Sequence, residues 1–274
     1  RGIYRCLKNI KRKMIKVLIS TLLIINIFLI LIIKKKNIKN FFYKKKVKSI
    51  DLDKINKIFL NSKIDKNLYG PKEDVIVKSF CIPPNNKIVG MTSNYEAWII
   101  SSLSKNSKKI FEFGTCSGKT TYLMALNSPE NAKIISITLK PDSLSILEKN
   151  KLDNKISYRN IINESIYKNF LFTGSKYENK IEIIFQNSLD LDEIKYKNFF
   201  DLIFIDGGHT YSVVKSDTQK AFKMINKDGI ILWHDYVPGK TSANDVVKLL
   251  NEISQKKTIF HIKDTSLCYF KNEN

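Results

Sequence analysis

The stretch Glu112-Phe-Gly-Thr-Cys-Ser-Gly-Lys-Thr-Thr121 decides the fold, because it joins an apolar run, Lys109 to Phe113, to a helix-forming run that reaches about Leu126. A glycine-bearing bend between a strand and a helix offers backbone N–H groups and a helix N-terminus to an anionic ligand group. A phosphate-wrapping loop needs four residues between its first glycine and the Gly-Lys-Ser/Thr end. Here Gly114 and Gly118 are separated by three, and Phe113 stands one position earlier. A dinucleotide fingerprint requires G-x-G-x-x-G, and Cys116 occupies the place of its middle glycine. A P-loop nucleotidase is therefore the lesser alternative, and a purely structural glycine turn is the plain one.

Working outward, apolar strands alternate with helical segments. A helix from Ser93 to Leu103 precedes the first strand. Further strands are Lys133 to Thr138, Ile181 to Phe185, Leu202 to Asp206 and Ile230 to Trp233. Helices are expected after Pro141 to about Lys149, from Tyr211 to about Ile225, and from Ala243 to about Ile253. Thr258 to Ile262 and Leu267 to Phe270 close the chain as a hairpin. Short apolar strands separated by helices of this length indicate right-handed βαβ units around a sheet buried on both faces. The expected fold is a doubly wound α/β domain with a mostly parallel, seven-stranded, Rossmann-like sheet. Residues 150 to 180 are too long for a simple connection and read as an inserted helix or loop beside the site.

The quoted stretch resembles motif I of class I S-adenosylmethionine-dependent methyltransferases, and Glu-x-Gly-Thr-x-x-Gly-x-Thr is similar to the branch with catechol, caffeoyl-CoA and sugar or macrolide O-methyltransferases. Gly90-Met-Thr-Ser-Asn-Tyr-Glu96 looks like the segment that closes over the cosubstrate in that branch. The resemblance implies that Met91, Thr92, Glu112, Gly114, Thr115, Ser117, Gly118 and Thr120 line S-adenosylmethionine. Two departures stand out. The second strand ends at Thr138 where the family places a ribose-binding acid, which leaves Asp142 as a substitute. The third strand leads to Asn187 and Ser188, which could bind the adenine by hydrogen bonds without charge.

Phe200-Asp-Leu-Ile-Phe-Ile-Asp-Gly-Gly-His209 and Ile230-Ile-Leu-Trp-His-Asp-Tyr236 are each a hydrophobic strand that ends in an acid. Adjacent parallel strands would bring Asp206 and Asp235 together at the ligand-binding edge of the sheet. Two neighbouring carboxylates are costly unless a cation or proton intervenes, and Mg²⁺ or another divalent ion is a natural partner. In the metal-dependent branch an acid and an Asp-Asn pair hold the ion. Asp206 and Asp235 match, Tyr236 replaces the amide, and His234 is the substitute ligand. His209 stands near the branch's catalytic lysine and is the candidate general base, since an imidazole titrates near neutrality; its plainer role is to orient the Asp206 carboxylate. Tyr211, Trp233 and Tyr236 read as packing or substrate-lining residues.

The expected activity is O-methylation of a hydroxyl on a sugar or small molecule, with Asp206 and His209 as catalytic residues. The competing reading, suggested by Thr138 and Tyr236, is a binding module that keeps the fold without turnover. A homodimer is compatible with either.

The N-terminus is of a different kind. Val17 to Ile33 carries no charge, and with the flanking Met14, Ile15, Lys16 and Lys34 it is long enough to cross a hydrocarbon core of roughly 30 Å. The reading is residues 1–36 as a basic N-terminus and transmembrane anchor, 37–89 as linker and accessory segment, and 90–274 as the methyltransferase domain. A single-pass membrane protein follows, with its catalytic domain on the cytoplasmic side where the cosubstrate is made. Lys and Arg crowd both ends of the run, so charge asymmetry does not set the topology.

The net charge of +21 is local: residues 1–50 hold fifteen of the 47 Lys and Arg and no acid, leaving 32 against 26 acidic residues, or +6, for the rest. That distribution speaks for lipid headgroups and against a nucleic-acid partner. Cys6, Cys81, Cys116 and Cys268 form no C-x-x-C pair and read as free thiols.

Overall fold

The computed structural model describes residue 14 and residues 18–30, 46–59, 74–82, 87–88, 91–141, 153 and 155–273. The chain divides into two units, Arg1–Lys46 and Val47–Asn274. In the first, the described helix α1 covers 18–30, and its side chains are exposed.

The expected membrane span is corrected here: among the described residues no helix is long and apolar enough to cross a membrane. The single-pass localisation falls with it. The lysine run Lys34 to Lys36 lies outside the described residues, as do Cys6, Gly90, Asp142 and the helix expected after Pro141.

The second unit is built on a mixed sheet. Its strands are β1 (Lys48–Ile50), β4 (Lys109–Phe113), β5 (Lys133–Thr138), β6 (Ile181–Phe185), β7 (Phe200–Ile205), β8 (Ile225–Trp233), β9 (Phe260–Ile262) and β10 (Cys268–Lys271). The sheet has eight strands in the order β1-β9-β10-β8-β7-β4-β5-β6, and β2 (Cys81–Ile82) pairs separately with β3 (Lys87–Ile88). The five strands from β6 to β8 are parallel, β10 runs antiparallel to both neighbours, and β1 lies parallel to β9. This is a doubly wound, Rossmann-like α/β architecture. The expected count of seven is corrected by β1, whose three residues pair with Phe260, His261 and Ile262 at the sheet edge.

The helices are α2 (Asn94–Ser104), α3 (Lys119–Asn127), α4 (Lys155–Glu164), α5 (Tyr211–Met224) and α6 (Asn244–Ile253). Helix α2 starts on a full capping box: Glu96 N donates to Ser93 Oγ, and Ser93 N donates to the Glu96 carboxylate. It packs with α3, and α5 packs with α6. Right-handed crossovers that leave β4 in opposite directions put these two pairs on opposite faces of the sheet. The central strands are apolar and buried on both sides: Ile110, Phe111, Phe113, Leu202, Ile203 and Phe204 are wholly excluded from solvent. The segment after β1 joins this core through Leu52, Ile55, Ile58 and Phe59.

Because β5 and β7 flank β4 on opposite sides, the chain reverses direction there, and a crevice opens beyond the strand ends. The register fixes what meets at that edge. Phe113 pairs with Ile205, and Ile205 with Trp233. Asp206 N donates to Phe113 O at 2.9 Å and His234 N to Ile205 O at 3.0 Å. Gly114, Asp206 and His234 therefore stand in a row across three adjacent strands.

Candidate active site

The bend after β4 needs its glycines for two reasons. Gly114 has φ +96°, and a Cβ there would lie 2.2 Å from Asp206 O and 2.6 Å from Gly207 Cα. Gly118, at φ +78°, is backed by Phe170 and Phe172. The near side of the bend, Gly114 and Cys116, lines a cavity of about 300 Å³, whereas the far side is packed against that aromatic pair.

Beneath the bend the Glu112 carboxylate is buried. It accepts hydrogen bonds from Thr121 Oγ1 and from Ser136 Oγ at 2.6 Å, and the Thr115 and Ser136 hydroxyls are 2.7 Å apart. Burial pushes Glu112 up to about 8, against the lowering effect of these hydroxyls. An acid whose folded pKa exceeds its unfolded one binds more protons when folded, so its contribution to stability falls as pH rises from about 4.5 to about 8. Urea unfolding at pH 5 to 8 is expected to show Glu112→Gln losing a decline of up to about 1.4 kcal/mol per pH unit relative to wild type. Parallel stability profiles for the two proteins would contradict this.

The cavity runs along the strand ends. Thr138 borders it after β5, Gln186, Asn187 and Ser188 after β6, and Asp206 to Gly208 after β7. Of the residues expected to hold a cosubstrate, Gly114, Thr138, Asn187 and Ser188 stand on its wall, as does Asp206. Glu112, Thr115, Ser117, Gly118 and Thr120 are buried and do not line it. Met91 is exposed, and Thr92 is tied down by Lys119 Nζ, which donates to its carbonyl at 2.9 Å. That engagement removes the P-loop alternative, because the lysine of the Gly-Lys-Thr sequence is buried and committed to backbone. Cys116 does border the cavity, but burial pushes its thiol up to about 11, so it offers no thiolate nucleophile.

Around Asp206, which lines the cavity, charged groups converge. His209 Nε2 is 3.0 Å from Asp235 Oδ2 and 3.7 Å from Asp206 Oδ1; His234 Nδ1 is 3.1 Å from Asp206 Oδ1 and 3.4 Å from Asp235 Oδ2. These are charge contacts without the alignment of N–H···O bonds, for both ring nitrogens of His234 and Nε2 of His209 are buried without a hydrogen-bond partner. Asp235 reaches the cluster through a left-handed backbone conformation, φ +61°. Ligand atoms of Asp206, His209 and Asp235 lie within 4.8 Å of one another. Behind His234, Glu96 Oε2 is 3.7 Å from Nε2, while the Glu96 carboxylate accepts from the amides and hydroxyls of Ser93 and Ser266.

Electrostatics follow from this crowding. Burial disfavours charge on His209, but Asp206, Asp235 and Glu164 outweigh it and push the ring up to about 9. His234 is raised in the same way by Asp206, Asp235 and Glu96. The two aspartates are held below the usual carboxylate range, the histidines overcoming the effect of burial.

Tyr236 does not join the cluster. It is buried, its hydroxyl donates to Asn251 Oδ1 at 2.8 Å and accepts from Val47 N at 3.1 Å, so the residue that replaces an amide serves the core. Trp233 is also core, its indole N–H donating to Thr218 Oγ1, and the Tyr211 hydroxyl donates to Glu252. Sequence reasoning missed three acids on the cavity wall, Asp153, Glu164 and Asp217. Asp217 had a signal: it falls on the α5 face defined by Val214, Ala221 and Met224, where a charge is out of pattern.

Residues 111–236 match the family model described as a methyltransferase domain. No curated protein matches the chain. Similar solved structures include the O-methyltransferase TomG of Streptomyces achromogenes, involved in tomaymycin synthesis and in complex with S-adenosylmethionine (10% identity, TM-score 0.44, 66% of this chain and 82% of that one). The S-adenosylhomocysteine-bound methyltransferase PaMTH1 of Podospora anserina is another (13%, 0.47, 67% and 80%). A third is the O-methyltransferase of Bacillus cereus in complex with S-adenosylhomocysteine (13%, 0.42, 66% and 82%).

Proposed function

We propose that this chain, whose residues 111–236 match a methyltransferase-domain model, is a class I S-adenosylmethionine-dependent methyltransferase that transfers the donor's methyl group to a hydroxyl oxygen of a sugar or small molecule. The observation that carries the reading is the convergence of His209, His234 and Asp235 on Asp206, which lines the same cavity as the Gly114 bend. The amides of the bend suit the amino-acid tail of the donor, and Thr138, Asn187 and Ser188 offer neutral polar groups to its nucleoside.

A sulfonium methyl is already activated, so the protein has to align the nucleophile and exclude water, which contributes on the order of 7 to 11 kcal/mol. The donor set fits a divalent ion: buried ring nitrogens without hydrogen-bond partners face two carboxylates. Asp206, Asp235 and His234 would hold the ion, which when bound would polarise an acceptor hydroxyl and favour a neutral His209. Glu96 stands behind His234 as a charge contact at 3.7 Å. His209 lies between Gly208 and Thr210, which line the cavity, and is the residue we assign to take the hydroxyl proton.

The two histidines therefore separate in experiment. His209→Gln is expected to lower turnover about 10²- to 10⁴-fold while thermal stabilisation by Mg²⁺ or Mn²⁺ persists, and His234→Gln is expected to lose that stabilisation. Release of S-adenosylhomocysteine with hydroxylated acceptors tests the activity itself. Donor binding without release for any acceptor would favour the binding-module alternative.

A further inference from the structure

Helix α5 buries a carboxylate that the proposed chemistry does not use. Asp217 is 1% exposed, its Oδ1 has no hydrogen-bond partner, and it borders the cavity. Its other contact is with the Ser188 hydroxyl, on the turn that follows β6. Lys220, one turn further along α5, does not neutralise it at close range. That ammonium donates to the carbonyls of Ser188, Leu189 and Leu191 at 2.6, 2.7 and 2.9 Å, so all three of its protons are committed to the turn. A buried acid with an open acceptor is expensive to keep, and burial pushes Asp217 up to about 7. Oxygen Oδ2 lies beside Gly207, where a Cβ built on that glycine would meet it at 3.4 Å. The arrangement holds an acceptor ready at the cavity wall.

Its position says for what. Strand β6 lies two strands from β4, so the Ser188 turn is roughly 10 Å from the Gly114 bend. Resting on the reading above, the amino-acid tail of the donor lies at the bend, and the purine, at the opposite end of the molecule, reaches the Ser188 turn. The purine edge of adenosine carries one exocyclic group that needs an acceptor, its amine. We propose that Asp217 accepts a hydrogen bond from the exocyclic amine of the cosubstrate's adenine and makes the site selective for adenine over hypoxanthine. Asp217 is thus a specificity residue, and Lys220 fixes the turn against which it works.

The experiment is calorimetric titration of the full chain with S-adenosylhomocysteine and with S-inosylhomocysteine, in which a carbonyl replaces the amine. Wild type is expected to prefer the adenine compound by about tenfold to a hundredfold, the range of a hydrogen bond to a charged or buried group. Asp217→Asn, whose amide can donate to the carbonyl, is expected to bring the two affinities within about threefold while its melting temperature stays at or above that of wild type. Undiminished preference in a folded Asp217→Asn overturns the assignment and leaves the methyl-donor reading intact. Equal binding of both compounds by wild type overturns it without any variant. No binding of S-adenosylhomocysteine at all overturns the methyl-donor reading, and this assignment with it.

Discussion

Gly114→Ala is expected to abolish methyl transfer and to destabilise the fold by about 3 kcal/mol or more, the sum of a left-handed backbone imposed on a side chain and a clash with unyielding atoms. The new Cβ would lie 2.2 Å from Asp206 O and 2.6 Å from Gly207 Cα, both backbone. Neither side can retreat. Gly114 N donates to Ile137 O at 3.0 Å and Asp206 N to Phe113 O at 2.9 Å, so any shift that relieves the contact breaks the ladder at the strand ends. It also displaces Asp206, which the proposed chemistry requires. Gly174→Ala is the control: φ is +75°, but no atom lies within 4 Å of the added carbon. That substitution carries the backbone cost alone, about 1 to 2 kcal/mol. Urea unfolding of both variants separates clash from strain, and equal losses at the two positions would contradict the argument.

Asp206→Asn and Asp235→Asn are each expected to reduce turnover about 10²- to 10³-fold or more while the chain remains folded, the scale on which a preorganised charge acts in a water-poor site. Each aspartate faces both histidines, so removing one negative charge lowers the pKa of both rings and weakens the hold on a cation at once. The amide is the informative replacement at position 235. Asn adopts the φ of +61° about as readily as Asp does, whereas Ala would add strain of its own. Product release measured beside thermal melting distinguishes lost chemistry from lost structure. Wild-type turnover and wild-type response to divalent ions in both variants would remove the cluster from the mechanism.

How much of this was legible in the sequence depends on distance along the chain. The β4 strand, its bend and α3 follow from one contiguous stretch, since apolar alternation, two glycines and a helix-forming run are local signals. Strand β5 spans Lys133–Thr138, the expected residues. Strand β8 begins at Ile225 and not at Ile230, because Asn226 to Gly229 read as a turn. In the structure Asp228 takes φ +63°, and the pairing with β7 is irregular between Phe200 and Leu202. Strand β1 was hidden: three residues, two of them polar, owe their extended form to a partner more than 200 positions away. The membrane reading rested on hydropathy, which measures an apolar run and not a helix; among the described residues no helix is long and apolar enough to cross a membrane.

The site divides along the same line. Asp206 and Asp235 end apolar strands, so sheet geometry alone announces that they meet. The approach of His209 to Asp235 depends on the loop after β7, and the burial of Tyr236 depends on Asn251 of α6, neither of which a local pattern encodes. Asp217 and Lys220 gain their meaning only from the turn after β6, about thirty residues earlier in the chain.

The central claim is that a sulfonium donor lies along the strand ends with its methyl group at the aspartate and histidine cluster. A crystal structure of the full chain grown with S-adenosylhomocysteine tests it most directly. The account predicts the amino-acid tail on the amides near Gly114, the sulfur turned toward Asp206 and His209, and the purine beside Ser188. Density for the ligand elsewhere, or a reversed ligand with its purine at the Gly114 bend, would contradict it.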